Sequence, residues 1–298
     1  MAVERGDKKG MQKYHRKVIS FSRRITKKIT DNDKKLLTWA YGRILFNNDN
    51  IDEFTHFLSN LHHYNKVILE IGFGSGEHVA QLCAEEQPNP NSHNNDNTVI
   101  IACDPYINGA VKLLKKLQKK PLFSHFLHTS YEQSGNNDIN STQIGCIYGA
   151  NGKKNTIINS KKDQKHIPKH IQLWNDDVNL ILPHIANDVV DQFYVLCPDP
   201  WPKKRHHKRR LISLDTINTL LDMLKSDGSI VMTTDHDEYA NYISDLLQEN
   251  FANSPKCRVK NVILKTEEDC NAHRVSSRYA LTALEGGNSI KYFEITKL

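Results

Sequence analysis

The chain of 298 residues has no long apolar run and no closely spaced pair of cysteines. No stretch approaches the roughly 18 apolar residues of a membrane-spanning helix, and the basic N-terminus is not followed by the apolar segment of a secretory signal. None of the 6 cysteines lies in a CxxC pair, and His206 and His207 have no third ligand at zinc spacing. These absences predict a cytoplasmic protein without membrane association or metal, and no obligatory protein partner is evident. An apolar content of 38% is enough for a sizeable core.

Positive charge is concentrated in two segments. Residues 1–30 contain ten Lys or Arg residues against two acids, enough to account for the net charge of +6 on the whole chain. Residues 203–210 contain six more. Such clusters are typical of proteins that bind the phosphate backbone of nucleic acids, although a solvated charge run remains the alternative for the first segment. We predict a basic N-terminal arm over residues 1–30 and one domain over residues 31–298.

Predicted strands and helices alternate along this domain. Apolar runs predict strands at residues 67–71, 98–103, 170–174, 191–197, 230–234, 258–264 and 290–295. Amphipathic stretches predict helices at about residues 31–42, 51–62, 77–86, 108–119, 178–185, 212–225 and 238–250, the first capped by Asp31 or Asp33. Alternation of this kind predicts an α/β fold with a mostly parallel sheet and helices on both faces.

One segment breaks the alternation. Residues 120–168 are rich in Asn, Lys, Ser and Gly and show no sustained periodicity. We predict that this segment is an insertion, largely disordered or loosely packed.

The first clear strand runs directly into a glycine-rich loop, GFGSGE at 72–77, which leads into a helix. Strand, glycine loop and helix in this order are typical of a nucleotide-binding unit. The Lys-Ser/Thr of a phosphate-binding loop does not follow, and Glu70 lies inside the apolar strand, where a carboxylate needs a partner. This combination favours a cationic or hydroxyl-bearing ligand over a pyrophosphate.

Acidic residues follow several predicted strands. They are Glu70, Asp104, Asp176, Asp199 and Asp235. In open α/β sheets ligands bind at the carboxyl ends of the strands, so the five acids predict one shared binding site. Asp104 stands where a carboxylate usually accepts hydrogen bonds from ribose hydroxyls.

Asp199 lies in a loop stiffened by three prolines, CPDPWPKKRHHKRR at 197–210. From the local pattern alone this Asp is either a functional acid or an ordinary turn residue. Trp201 either stacks on a base or packs under the loop. Phosphate contact is the interpretation for Lys204, Arg205, Lys208, Arg209 and Arg210.

Three motifs together resemble the tRNA (guanine-N7)-methyltransferase family in its bacterial single-subunit form: LEIGFGSGE at 69–77, PDPWPKKRHHKRR at 198–210 and TTDHDEYA at 233–240. SFSRR at 20–24 and SRYALTAL at 277–284 extend the resemblance over nearly the whole chain. It implies a class I, Rossmann-like methyltransferase fold with a mostly parallel seven-stranded sheet. It also implies S-adenosylmethionine as cofactor, tRNA as partner, and methylation of a guanine N7 in the tRNA variable loop.

The resemblance also implies roles for individual residues. The cofactor would contact Glu70, Gly72, Gly74, Gly76, Asp104, Asp176 and Asp199, with Asp177 as the alternative to Asp176. Asp199 would also be the catalytic residue. The substrate would contact Lys203, Asp235, Ser277, Arg278, Tyr279 and Ala280.

Two positions depart from the family pattern. Cys197 stands where Phe is usual, and Ala280 stands where a Glu is expected. The alternatives to tRNA guanine-N7 methylation are a class I methyltransferase acting on another RNA and a catalytically impaired RNA-binding homologue.

Overall fold

A computed structural model gives the fold and describes residues 28–86, 97–119, 142–148, 154–160 and 170–298. None of the helices in this described part is long and apolar enough to span a membrane. Residues 1–27 lie outside it, so the basic arm stays a prediction.

The strands, numbered in chain order, are β1 (Leu45–Phe46), β2 (Lys66–Ile71), β3 (Thr98–Cys103), β4 (Thr142–Tyr148), β5 (Lys154–Ser160), β6 (Ile171–Trp174), β7 (Val190–Leu196), β8 (Leu224–Thr234), β9 (Cys257–Leu264) and β10 (Ile290–Lys297). Eight of them form the main sheet in the order β1-β6-β3-β2-β7-β8-β10-β9. Neighbours are parallel from β1 to β8, and β10 runs antiparallel to β8 and β9. The mostly parallel α/β sheet is confirmed. The strand beyond the predicted seven is β1, whose two residues are too few to show a periodic pattern.

The helices are α1 (Asp31–Ala40), α2 (Ile51–Leu58), α3 (Glu77–Glu85), α4 (Ile107–Gln118), α5 (Leu214–Met223), α6 (Asp237–Asn250), α7 (Glu267–Ala272) and α8 (Arg278–Glu285). Apolar side chains of α1, α3, α4, α7 and α8 form a core on one face of the sheet. Those of α2, α5 and α6 form a core on the other face. Helices therefore cover both faces, as the alternating pattern predicts.

Side chains of β2 alternate between the two cores. Val67, Leu69 and Ile71 pack on the face of α2, and Ile68 packs on the face of α3. Because successive strand residues point to opposite faces, Glu70 shares the face of Ile68. Its carboxylate is thus directed toward α3.

Two local predictions differ from the structure. Helix α1 is capped by Thr30, while Asp33 completes the capping box from the third helical position. The helix predicted over 178–185 is instead two 3-10 turns, Val178–Leu180 and Leu182–His184. Pro183 lacks the N–H that a continuous helix would use.

The polar insertion contains a small sheet of its own. Strands β4 and β5 pair antiparallel over their full length. The other residues of 120–168 lie outside the described part, so disorder there stays a prediction.

Candidate active site at the carboxyl edge of the sheet

The structure places the five predicted acids at one edge of the sheet. Glu70 is the second-last residue of β2, and the other four acids follow the ends of β3, β6, β7 and β8. These five strands are parallel neighbours in the sheet. Parallel neighbours direct their carboxyl ends to the same edge, which is the ligand-binding edge of open α/β sheets. The edge therefore carries a concentration of carboxylates.

The glycine loop is held against the next helix. Gly72, Gly74 and Gly76 all have left-handed backbone angles, and Gly76 begins α3. A Cβ on Gly76 would lie 2.6 Å from the Cβ of Leu113, and a Cβ on Gly109 would lie 2.0 Å from the carbonyl oxygen of Gly74. Helix α4 thus packs directly on the backbone of the loop.

Asp104 ties this loop to the end of β3. Its carboxylate oxygens accept hydrogen bonds from the backbone N–H groups of Gly74 and Tyr106, both at 2.8 Å. The residue is 8% exposed. Burial raises the pKa of Asp104 to about 6, and the negative charges of Glu70 and Asp199 add to that rise against the two backbone hydrogen bonds. Asp104 is therefore mostly ionised at neutral pH but close to titration.

Asp176 and Asp177 differ in what their side chains do. Asp177 caps the following 3-10 turn, accepting from the backbone N–H of Asn179 at 3.0 Å and from its amide at 2.7 Å. Asp176 is buried, with one carboxylate oxygen accepting from the N–H of Asp177 at 2.9 Å. Because Asp177 is used as a cap, this geometry favours Asp176 as the acid that faces a cofactor.

Glu70 has a partner within the chain. Oε2 of its carboxylate lies 2.7 Å from Nδ1 of His78, and both side chains are 2% exposed. The other ring nitrogen of His78 lies 2.8 Å from the carbonyl oxygen of Arg274. The requirement that a carboxylate in this apolar strand be paired is confirmed, and α3 supplies the partner.

The loop around Asp199 is strained. Cys197 and Trp201 both have φ of 46°, a left-handed value that residues other than glycine adopt infrequently and that concentrates at functional sites. The loop begins where the N–H of Cys197 donates to the carbonyl oxygen of Thr233 at 3.0 Å. Asp199 itself is exposed. Strain on both sides of an exposed acid favours a functional acid over an ordinary turn residue.

The basic cluster divides into exposed and buried cations. Lys203, Lys204, Arg205 and Lys208 are exposed around the 3-10 helix Lys204–Arg209. Arg209 lies 5.0 Å from the ring centre of Trp201, whose indole also contacts His206 edge to face. Trp201 thus packs within its own loop, as one of the two interpretations has it.

Arg210 is a correction to the sequence interpretation. It is 5% exposed, and its guanidinium donates to the carbonyl oxygen of Pro200 at 2.9 Å and to Glu238 at 2.8 Å. The same group lies over the rings of Tyr239 and Tyr242. A phosphate contact by Arg210 is therefore wrong, because this residue fastens the Asp199 loop to α6.

The C-terminal segment, residues 274–285, packs on the same face of the sheet as α3. Ser277 caps α8 by accepting from the N–H of Ala280 at 3.2 Å. Tyr279 is 62% exposed, and its Cε2 lies 3.4 Å from the place that a Cβ on Gly74 would take. Burial raises the pKa of Tyr279, and the charges of Asp199 and Asp104 raise it further. The tyrosine ring therefore lies against the glycine loop, where the charges of both acids act on its hydroxyl group.

Ala280 has the opposite orientation. It is fully buried in the core on this face of the sheet, together with Ala283. Its methyl group packs in the core with no exposed surface, so this burial argues against the predicted substrate contact through its side chain. Asp235 is exposed after β8, and Arg278 is exposed at the start of α8.

Comparisons of sequence show which proteins the chain is similar to. A family model described as "Putative methyltransferase" matches residues 153–291. The tRNA (guanine-N(7)-)-methyltransferase of Wolbachia pipientis wMel is 22% identical over 231 residues, which are 78% of this chain and 75% of that protein. The protein of the same name from Neorickettsia sennetsu is 27% identical over 214 residues, 72% of this chain and 69% of its own. The chain is therefore similar in sequence to the tRNA (guanine-N7)-methyltransferases over more than two thirds of its length.

Among solved structures, an antibiotic-related methyltransferase matches with a TM-score of 0.42 and 16% identity, covering 82% of this chain and 92% of its own. The similarity to tRNA (guanine-N7)-methyltransferases is one of sequence, and the sheet order given above supplies the fold. Among residues 28–86, 97–119 and 170–298, three or more His, Cys, Asp or Glu side chains nowhere come together as a group that could hold a metal.

Within this family pattern, Cys197 replaces an aromatic residue. Burial raises the pKa of the Cys197 thiol to about 11, and a hydrogen bond with the Thr233 side chain opposes that rise. Its sulfur lies 3.6 Å from Oγ1 of Thr233. A thiol with this pKa is neutral at physiological pH, so it packs at the strand end and is not a nucleophile.

His78 and Arg274 are the site residues that sequence reasoning missed. The signal was the buried acid at Glu70, which required a partner, and the only histidine of the helix after the glycine loop is His78. Arg274 could not be found in this way, because its contribution is a backbone carbonyl far along the chain.

Proposed function

We propose that this protein transfers the methyl group of S-adenosylmethionine to N7 of a guanine in tRNA. The observation that carries the proposal is the exposed Asp199 in a strained loop, which lies between an acid-lined glycine loop and a row of exposed cations. A protein with that arrangement has a place for a small cationic cofactor beside a place for a polyanion.

The residues present fit a sulfonium cofactor. Burial is the main cause that raises the pKa of Asp104, and the charges of Glu70 and Asp199 add to it. A bound cation would therefore offset the repulsion between these carboxylates. Asp104 would accept from the ribose hydroxyls, Asp176 would face the adenine, and the glycine loop would approach the cofactor closely through its backbone. Glu70 would act from behind the loop, since His78 already occupies one of its oxygens.

Bound S-adenosylmethionine supplies a methyl group on a positively charged sulfur. Guanine N7 has a free lone pair, so no residue has to remove a proton from the nucleophile. The residues must instead hold N7 in line with the methyl group, and such positioning contributes on the order of 7 to 11 kcal/mol to catalysis. Asp199 and Asp235 would stabilise the positive charge that develops on the purine and accept hydrogen bonds from it.

The exposed cations would hold the RNA. Lys203 would contact the nucleotide next to the reaction, and Lys204, Arg205 and Lys208 would contact backbone phosphates. The basic arm at residues 1–30 would extend this surface. We place the target guanine in the variable loop, as the family resemblance implies, and such a substrate would place the reaction in the cytoplasm.

The test is methyl transfer to tRNA with labelled S-adenosylmethionine, followed by mapping of 7-methylguanosine through chain cleavage. Wild-type protein should label one guanine N7, and Asp199→Ala should lose about 100-fold or more of the rate while retaining cofactor binding in calorimetry. Asp222→Ala is the matched control, because Asp222 is an exposed acid just before β8 and so lies at the opposite edge of the sheet.

Label on another atom or on another RNA would contradict the proposal. Cofactor binding without transfer to any RNA would favour the impaired RNA-binding homologue, for which the missing carboxylate at Ala280 is the specific argument. An Asp222→Ala variant as inactive as Asp199→Ala would show that the loss is not specific to the Asp199 loop.

A further inference from the structure

Glu70, His78 and Arg274 form a hydrogen-bonded connection between the cofactor strand and the C-terminal segment. The carbonyl oxygen of Arg274 can only accept, so Nε2 of His78 must carry a hydrogen and donate it. The contact between Nδ1 and the Glu70 carboxylate then needs one further proton, held by either group. In both arrangements the two side chains hold two protons together and have no net charge, which suits a pair that is 2% exposed.

Arg274 is fixed at two places. Its backbone is left-handed, with φ of 54°, which turns its carbonyl toward His78. Its guanidinium binds Glu85 at 2.9 Å and Glu86 at 2.7 Å, and Glu86 also binds Lys66 at 2.7 Å. The main chain and the side chain of Arg274 are thus both attached at or beside α3.

The residues that follow Arg274 reach the active edge. Ser277 caps α8, and the ring of Tyr279, in its first turn, lies against Gly74 of the glycine loop. The chain from Arg274 to Tyr279 is short, so a displacement of the Arg274 carbonyl would displace the tyrosine ring. Burial raises the pKa of Tyr279, and the charges of Asp199 and Asp104 raise it further, which agrees with a ring placed at this edge.

We propose that His78 is a positioning residue, whose donation to the Arg274 carbonyl holds α8 and Tyr279 against the glycine loop and so couples cofactor binding to the guanine site. This inference rests on the proposed methyl transfer. The competing account is that His78 only neutralises the buried Glu70. The two accounts differ in which ring nitrogen matters.

A pair of substitutions separates the two nitrogens. In His78→Gln the amide nitrogen can take the place of Nε2 and donate to the Arg274 carbonyl. In His78→Asn the shorter amide can take the place of Nδ1 and donate to Glu70, without reaching Arg274. The kcat with tRNA, the Kd for S-adenosylmethionine by calorimetry and the midpoint of thermal unfolding are measured for both.

We expect His78→Gln to keep kcat within about threefold of wild type and His78→Asn to lose about 10-fold or more, because misplacement of a substrate-facing group by about 1 Å is costly. Equal activities, or better activity in His78→Asn, would overturn the positioning role and leave only neutralisation of Glu70. Wild-type protein that fails to methylate tRNA would instead overturn the proposed function, so the two failures are distinguishable.

A second measurement uses the unaltered protein. If the connection couples the loop to α8, S-adenosylmethionine should slow backbone hydrogen exchange over residues 275–281 as well as over the glycine loop. Protection of the loop with unchanged exchange at 275–281 would overturn the coupling even if both variants failed to fold.

Discussion

The proposed cofactor side and the proposed RNA side of the carboxylate edge are built in opposite ways. On the proposed cofactor side Glu70, Asp104 and Asp176 are all less than a tenth exposed, and each is hydrogen-bonded to a neighbouring group. On the RNA side Asp199, Asp235 and the cations of residues 203–208 are mostly exposed. A small ligand that is fully enclosed needs preorganised buried groups, whereas a polyanion is held by screened surface charges.

The two loops also obtain their shapes differently. The cofactor loop uses glycines, so its left-handed angles are unstrained and its backbone is open to close approach. The Asp199 loop uses prolines and places Cys197 and Trp201 in left-handed conformations without any glycine. Such strain persists only where surrounding contacts hold it, and Arg210 provides one of them. The comparison predicts that substitutions on the cofactor side change the affinity for S-adenosylmethionine. Substitutions on the RNA side should instead change the stability of the Asp199 loop or the salt dependence of tRNA binding.

The largest effect should come from Asp104→Asn. The substitution removes the charge while keeping the size, and each hydrogen bond from a ribose hydroxyl to a charged acceptor is worth about 1.5 to 3 kcal/mol. We expect affinity for S-adenosylmethionine to fall about 100-fold, with tRNA affinity nearly unchanged, measured by calorimetry and filter binding. An equal loss of both affinities would break the division into two sides.

Arg210→Ala should have the next largest effect. It removes a buried guanidinium that binds Pro200 and Glu238, and we expect a loss of about 2 kcal/mol in the free energy of unfolding. The matched control is Lys208→Ala, an exposed cation of the same motif, with an expected change within about 0.5 kcal/mol. Urea unfolding of both variants gives the comparison. If Lys208→Ala were the more destabilising, the assignment of Arg210 as structural would fail.

Cofactor affinity should also depend on pH. The pKa of Asp104 is raised from 3.8 to about 6, so its contribution favours the folded state below about pH 4 and is lost as pH rises through about 6. The affinity for the cationic cofactor should change with pH in the opposite direction, because the cofactor binds the ionised carboxylate of Asp104. Between pH 7 and pH 5 we expect affinity to fall up to about tenfold in wild type. Calorimetry of Asp104→Asn over the same range is the control, and an unchanged slope there would assign the titration to another group.

The smallest effect should come from Lys204→Ala. Loss of one phosphate contact reduces the salt slope of tRNA binding by about 1 and weakens binding only about two- to threefold at moderate salt. Cofactor affinity should not change. Lys256→Ala, an exposed lysine before β9 and so at the opposite edge of the sheet, should leave the slope as it is. An identical slope change in both variants would mean that the cations act through net charge alone.

Local patterns were sufficient to predict the alternating elements, the glycine loop and the acids at the strand ends. These features depend on residues close in sequence, and hydrophobic periodicity records them directly. The strand 98–103 was predicted with its observed bounds, and parallel topology then brought the acids together at one edge.

Burial that depends on distant segments could not be predicted. Arg210 looks like its basic neighbours, and only the tyrosines of α6 show that it points inward. The buried side of Ala280 and the carbonyl of Arg274 likewise depend on how the C-terminal segment packs on α3. Pro183 did give a local signal against a helix over 178–185, which the apolar pattern outweighed.

Gly109 lies in α4, a helix to which no ligand contact has been assigned, yet its missing side chain is what allows the carbonyl of Gly74 to take its position. The shape of the glycine loop therefore depends both on its own glycines and on Gly109, which no ligand contact would identify. For variation among related proteins, this means that this one position in α4 cannot gain even a methyl group unless the loop moves. We expect a substitution of Gly109 to displace the glycine loop and lower methyl transfer, although every residue expected to contact cofactor or RNA is unchanged.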